Sequence, residues 1–86
     1  MGSLTFGGVQ FFVYTNDHPP RHVHGFGSDA EVIVNLMADG SVALADRWDA
    51  IRPANAKRSD VRKVLDAAAA HFSELAALWE EIHGNT

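Results

Sequence analysis

The feature that most constrains this chain is a long apolar stripe in its C-terminal third. Val61, Val64, Leu65, Ala68, Phe72, Leu75, Ala76, Trp79 and Ile82 recur at intervals of three and four, the spacing of one helix face. Ser59 is a good N-cap, Asp60 puts a negative charge in the first turn, and Gly84 suits the position just past the end. A helix of about 25 residues here would be about 37 Å long. Such a face must be covered by something equally apolar, and the rest of the chain supplies strands.

Val9 to Thr15 is rich in β-branched and aromatic residues, with Val9, Phe11 and Val13 on one face and Phe12 and Tyr14 on the other. Bulk on both faces predicts a central strand. Asn16-Asp17-His18-Pro19-Pro20-Arg21 ends it in a loop, because two prolines remove two backbone donors. His22 to Phe26 reads as a short strand ended by Gly25 and Gly27. Ala30 to Met37 is a strand, Asp39-Gly40 a hairpin signal, and Ser41 to Ala45 the return strand. Asp46 to Arg58 is irregular, with Trp48 and Ile51 expected to anchor it in the core. The fold class is therefore α+β: a three- to four-stranded antiparallel sheet with one long C-terminal helix packed across it. That helix is longer than such a sheet is wide. Either its end, with Leu78 and Trp79, packs on a second subunit as a homodimer, or the helix breaks and everything packs internally.

The chain has 86 residues, which predicts a single domain over residues 1–86 with a thin core. It is 47% apolar and 21% charged, too apolar for disorder. It has no cysteine, so no disulfide or thiolate metal site holds it together. No leader or membrane-spanning stretch is visible, and the expectation is a soluble, cytoplasmic protein with no membrane contact. A formal net charge of −4 argues against nucleic acid as a partner. Arg47, Arg52, Lys57, Arg58, Arg62 and Lys63 are locally basic, but Asp46, Asp49 and Asp60 are interspersed and a solvated face is expected.

Chemistry concentrates in Asp17-His18-Pro19-Pro20-Arg21-His22-Val23-His24, where three of the five histidines fall within seven residues. On a strand, His22 and His24 share a face. Side-by-side imidazoles suit one divalent first-row metal, such as Zn²⁺, Ni²⁺, Cu²⁺ or Fe²⁺. His18 is a candidate third ligand, and Asp17, Asp29 or Glu31 could complete or orient the set. The metal candidates are His18, His22, His24 and Asp17. The alternatives are a cluster that hydrogen-bonds loop carbonyls or shapes a partner surface, and metal-free acid–base chemistry with His22 and His24, Arg21 holding a phosphate. His71 reads as a core-edge or solvated residue, and His83 as a cation in the last helical turn. No serine or cysteine nucleophile arrangement and no phosphate-binding glycine loop is present.

The segment Asn16 to Gly27 resembles the signature of the bacterial family called domain of unknown function 4160. That signature runs Asn-Asp-His-x-Pro-Pro-His-x-His and then an aromatic-Gly pair, here Phe26-Gly27. Asp17, His18, Pro20, His22 and His24 match, Arg21 stands at the second proline of the pair, and the link to the aromatic is one residue shorter. Asp29-Ala30-Glu31-Val32 resembles the following strand and Leu75-Ala-Ala-Leu-Trp79 the helix end. The resemblance implies a small α+β domain. It also implies one half of a two-gene, toxin–antitoxin-type cassette, with a neighbouring protein as partner. On this reading the chain is a binding or regulatory module rather than an enzyme. A small His-dependent ribonuclease or hydrolase, and a phage-type acidic inhibitor, stand as alternatives.

Overall fold

The computed structural model describes residues 2–84. The elements are β1 (Gly2–Phe6), β2 (Val9–Val13), β3 (His22–Gly27), β4 (Ala30–Leu36), β5 (Val42–Leu44), β6 (Ile51–Arg52), α1 (Arg58–Ala70) and α2 (Phe72–His83). The first five strands form an antiparallel meander in chain order, and β6 pairs with β4 at Glu31 and Val32, beside the stretch that pairs with β5. The sheet thus has six strands rather than three or four. β2 is interior, as its two apolar faces predict. The additional strand β1 is short and only half-buried, so its pattern is weak. Gly7 and Gly8 both have positive φ (56° and 83°), which closes the two-residue β1–β2 hairpin. Strand β3 runs through Gly25, which pairs with Val32 of β4, and ends at Gly27 as expected.

One sheet face carries the main core. Val9, Phe11, Val13, Val23, Val32 and Val34 are fully buried, against Val64 and Ala68 of α1 and Leu75, Leu78 and Trp79 of α2. Gly25 sets how closely α1 approaches. A Cβ there would run into the Val64 side chain and lie 2.8 Å from Phe11 Cε1. The alternate positions, Phe12, His24 and Ile33 across three neighbouring strands, belong to the other face. The segment after β5 folds over part of it. Ala45 N–H donates to Ile33 O (3.0 Å), Ile33 N–H donates to Ala50 O (2.8 Å), and these three side chains form a small second cluster.

Several expectations are corrected. The single long helix is two helices, broken at His71 (φ −120°, ψ 30°). No proline or glycine breaks it. The His71 ring stacks on Phe6, with centroids 3.8 Å apart, and the break lets both halves of the stripe stay on a small sheet. Leu78 and Trp79, expected to overhang, are buried in this chain's own core. The helix starts one residue before Ser59, so Lys57 is the N-cap and makes no side-chain cap bond. Gly84 follows α2 in a right-handed conformation (φ −80°). Trp48 is 94% exposed and anchors nothing. Ala45 and Ala50 take that role, and Ile51 is half-buried in β6. No helix among the described residues is long and apolar enough to cross a membrane.

The close approach at Gly25 makes a direct prediction. Gly25→Ala should lower unfolding stability by about 1–3 kcal/mol, the usual cost of overpacking, read from the urea midpoint. A variant as stable as the wild type would show that α1 does not close on β3.

Candidate metal centre

The site is built by a loop folded back over one strand. After β2, Asp17 N–H donates to Tyr14 O (3.1 Å) and Tyr14 N–H donates to Asp17 Oδ2 (2.9 Å). This reciprocal turn aims Oδ1 at β3. There, the two-residue spacing of His22 and His24 places their rings side by side, with centroids 5.1 Å apart. His24 Nε2 lies 3.2 Å and His22 Nε2 3.5 Å from Asp17 Oδ1. One ligand atom from each of the three residues lies within 4.8 Å of the others. The three side chains are only 6–12% exposed.

The far side of each ring faces an acceptor. His22 Nδ1–H donates to Pro20 O (2.8 Å), which leaves the Nε2 lone pair pointing inward. His24 Nδ1 faces Glu31 Oε2 at 3.5 Å, and Arg52 Nε lies 4.0 Å from the other Glu31 oxygen. Two buried nitrogens, His22 Nε2 and His24 Nδ1, lack a hydrogen-bond partner among the described residues.

Burial pushes the Asp17 carboxyl up. The Tyr14 N–H, the His24 hydrogen bond and charge, and His22 outweigh it and hold Asp17 below its ordinary value. Burial, with the Glu31 and Asp17 carboxylates, raises the Tyr14 phenol, so it stays protonated.

The other candidates lie elsewhere. His18 is exposed on the wall of an adjoining cleft and is not in the triad. Asp29 is exposed in the β3–β4 turn. The Arg21 guanidinium donates to Leu36 O (3.2 Å) and Met37 O (3.1 Å) and lies 5.3 Å over the Phe72 ring, so it is committed away from the imidazoles. Three supporting residues escaped sequence reasoning. Tyr14 packs edge-on against His24, and Trp79 lies 5.3 Å from the His22 ring. His83, 4.2 Å from the Trp79 ring, donates through Nε2 to Tyr14 O (3.0 Å). These join opposite ends of the chain, and no local spacing announces them.

The model of the family described as Domain of unknown function (DUF4160) matches residues 8–80. The chain belongs to this family. The matched span of this DUF4160 member includes the whole triad and Glu31. No curated protein and no solved structure matches the chain.

A depressed carboxyl contributes stability that is full above its unfolded value and lost as pH falls through its folded value. The ordinary value is 3.8. Wild-type protein should therefore melt well above Asp17→Asn at mildly acidic and neutral pH. The gap should close in stronger acid, as the wild-type carboxyl takes up its proton. Thermal melts across that range check this, and a gap of constant size would count against it.

Proposed function

We propose that this protein is a metal-binding module that holds one divalent first-row transition ion on Asp17 Oδ1, His22 Nε2 and His24 Nε2. The observation that carries the reading is the convergence of three ligand atoms from rings whose far nitrogens already face acceptors. A backbone carbonyl and a carboxylate behind ligating imidazoles are the usual orienting partners of metal-bound histidine. With an ion on both Nε2 atoms, His24 carries its proton on Nδ1, facing Glu31, and the unpartnered Nε2 of His22 is used. Two imidazoles and one carboxylate suit Zn²⁺, and equally Fe²⁺, Ni²⁺ or Cu²⁺. The ion would supply a fixed positive charge and a cross-link between the Asn16–Arg21 loop and β3.

A loop fixed in this way offers a defined surface, which fits a regulatory module that acts by contact with a cassette neighbour. A ribonuclease reading has less support, because Arg21 is spent on two carbonyls across the sheet from the histidines. The argument for a homodimer through the C-terminal helix weakens with Leu78 and Trp79 buried internally.

The test is metal content and thermal melting of untagged protein, with and without chelator, beside a His22→Ala/His24→Ala double variant. The expected wild type carries about one equivalent of metal and loses several degrees of melting temperature to chelator. The double variant should carry none and ignore chelator. Protein that holds no metal and melts identically with chelator sinks the reading. Glu31→Ala should keep the ligands but weaken the metal about 10- to 100-fold, measured by competition with a chromophoric chelator.

A further inference from the structure

Two of the three ligands are reached from the far end of the chain. Trp79 and His83 are one turn apart in α2, so their side chains share a face of the helix. Their ring centroids lie 4.2 Å apart. From this pair two contacts run toward the triad. The Trp79 ring lies 5.3 Å from the His22 ring. His83 Nε2 lies 3.0 Å from the Tyr14 carbonyl oxygen. A carbonyl only accepts, so this nitrogen carries a proton and donates it.

The Tyr14 carbonyl is where the helix end and the ligand loop meet. Tyr14 lies one residue beyond β2, whose last pair with β1 is Val13 with Gly2, so the sheet ladder does not orient its carbonyl. That oxygen accepts from His83 and also from Asp17 N–H (3.1 Å), the bond that closes the turn and brings Asp17 back over the strand. In return Tyr14 N–H donates to Asp17 Oδ2 (2.9 Å), which leaves Oδ1 for the imidazoles. Apart from the imidazoles, the hydrogen-bond partners of Asp17 among the described residues are these two backbone groups of Tyr14. A helix terminus frays at little cost unless it is tied down, and the His83 bond ties the end of α2 to the loop that carries a ligand.

Resting on the metal reading, we propose that the last turn of α2 is a latch for the metal centre. His83 is a positioning residue. It fixes the Tyr14 carbonyl and, through it, the Asp17 carboxylate, without touching the ion. Ion binding and docking of the last turn are therefore coupled, and such a coupling is reciprocal. The docked turn raises affinity for the ion, and the bound ion protects the turn.

The test compares wild type with His83→Ala and His83→Gln, each loaded with Co²⁺. Alanine removes the donor but favours the helix, so α2 should persist, checked by far-ultraviolet circular dichroism. Glutamine offers an amide N–H in place of the ring N–H. Cobalt affinity, measured by competition with a chromophoric chelator, should fall about tenfold in His83→Ala, the low end for outer partners of metal ligands. The visible bands of bound Co²⁺ should shift, and His83→Gln should restore both. In wild type, cobalt should slow hydrogen exchange in the last turn of α2, and His83→Ala should lose that slowing. A purely structural His83 would lower stability without moving the cobalt bands. Equal affinity and equal bands in wild type and His83→Ala overturn the inference. So does His83→Gln behaving as His83→Ala does, since ring packing on Trp79 would then be the whole effect. Exchange in α2 that ignores the metal in wild type also overturns it, and that measurement decides even if His83→Ala folds poorly. Wild-type protein that takes up no cobalt overturns the metal reading itself, and this inference with it.

Discussion

Two imidazoles buried on one face of one strand are the constraint around which this small fold is arranged. A buried polar group costs free energy unless it finds a partner. Here four ring nitrogens must be accommodated within a few ångströms. A single carboxylate oxygen sits 3.2 and 3.5 Å from two of them, a loop carbonyl takes the third and Glu31 faces the fourth. Each partner comes from a different place. Asp17 and Pro20 need the loop folded back, and Glu31 needs β4 in register, with Phe26 opposite Glu31 and His24 opposite Ile33. The loop is held by Tyr14, whose carbonyl is held by His83 at the last turn of α2. A shift of one residue in the β3–β4 register would send every side chain to the wrong face and separate these groups.

The same strand performs two tasks through its alternation. Val23, Gly25 and Gly27 face the helices, and His22, His24 and Phe26 occupy the intervening positions. The helix-facing side gives up bulk so that α1 can come close, since Val64 occupies the space a Cβ on Gly25 would need. The other side keeps bulky, polarisable rings. A thin core and a polar site therefore share one strand through its alternation, meeting only at its start, where Trp79 of the core lies 5.3 Å from the His22 ring. The short segment over Ile33 seals part of the site face with only Ala45 and Ala50, which leaves room beside it for the cleft.

Local chemistry made the centre of this arrangement legible. A two-residue histidine spacing means the same face on any strand, and Asn-Asp followed by Pro-Pro means a turn whatever surrounds it. Asp17, His22, His24 and the orienting candidate Glu31 could be named on those grounds. Residues whose position depends on distant parts of the chain could not be placed. His18 shares the loop but points to solvent, because folding Asp17 inward turns its neighbour outward. Arg21 sits next to His22, and strand alternation alone sends it to carbonyls on the other side. Trp48 and Trp79 look alike as bulky apolar residues, yet one is exposed and the other buried against an imidazole. The helix break at His71 is stacked on Phe6, in a strand whose half-buried pattern is too weak to be read. The overlong single helix and the missing strand are thus one omission.

A chain of this length has little core to spend, and without cysteine it has no covalent cross-link. The placement of the triad bears on this directly. Its ligands lie on the loop between β2 and β3 and on β3 itself, while Trp79 and His83 tie the same corner to α2. An ion there would bind only the folded arrangement, because the unfolded chain does not hold Asp17 against β3. Its binding free energy would then add to stability by mass action. It would act at a loop that carries two prolines, which donate no backbone hydrogen bonds. Two of the three side chains, Asp17 and His22, also line the neighbouring cleft, so the corner that an ion would order forms part of the cleft wall.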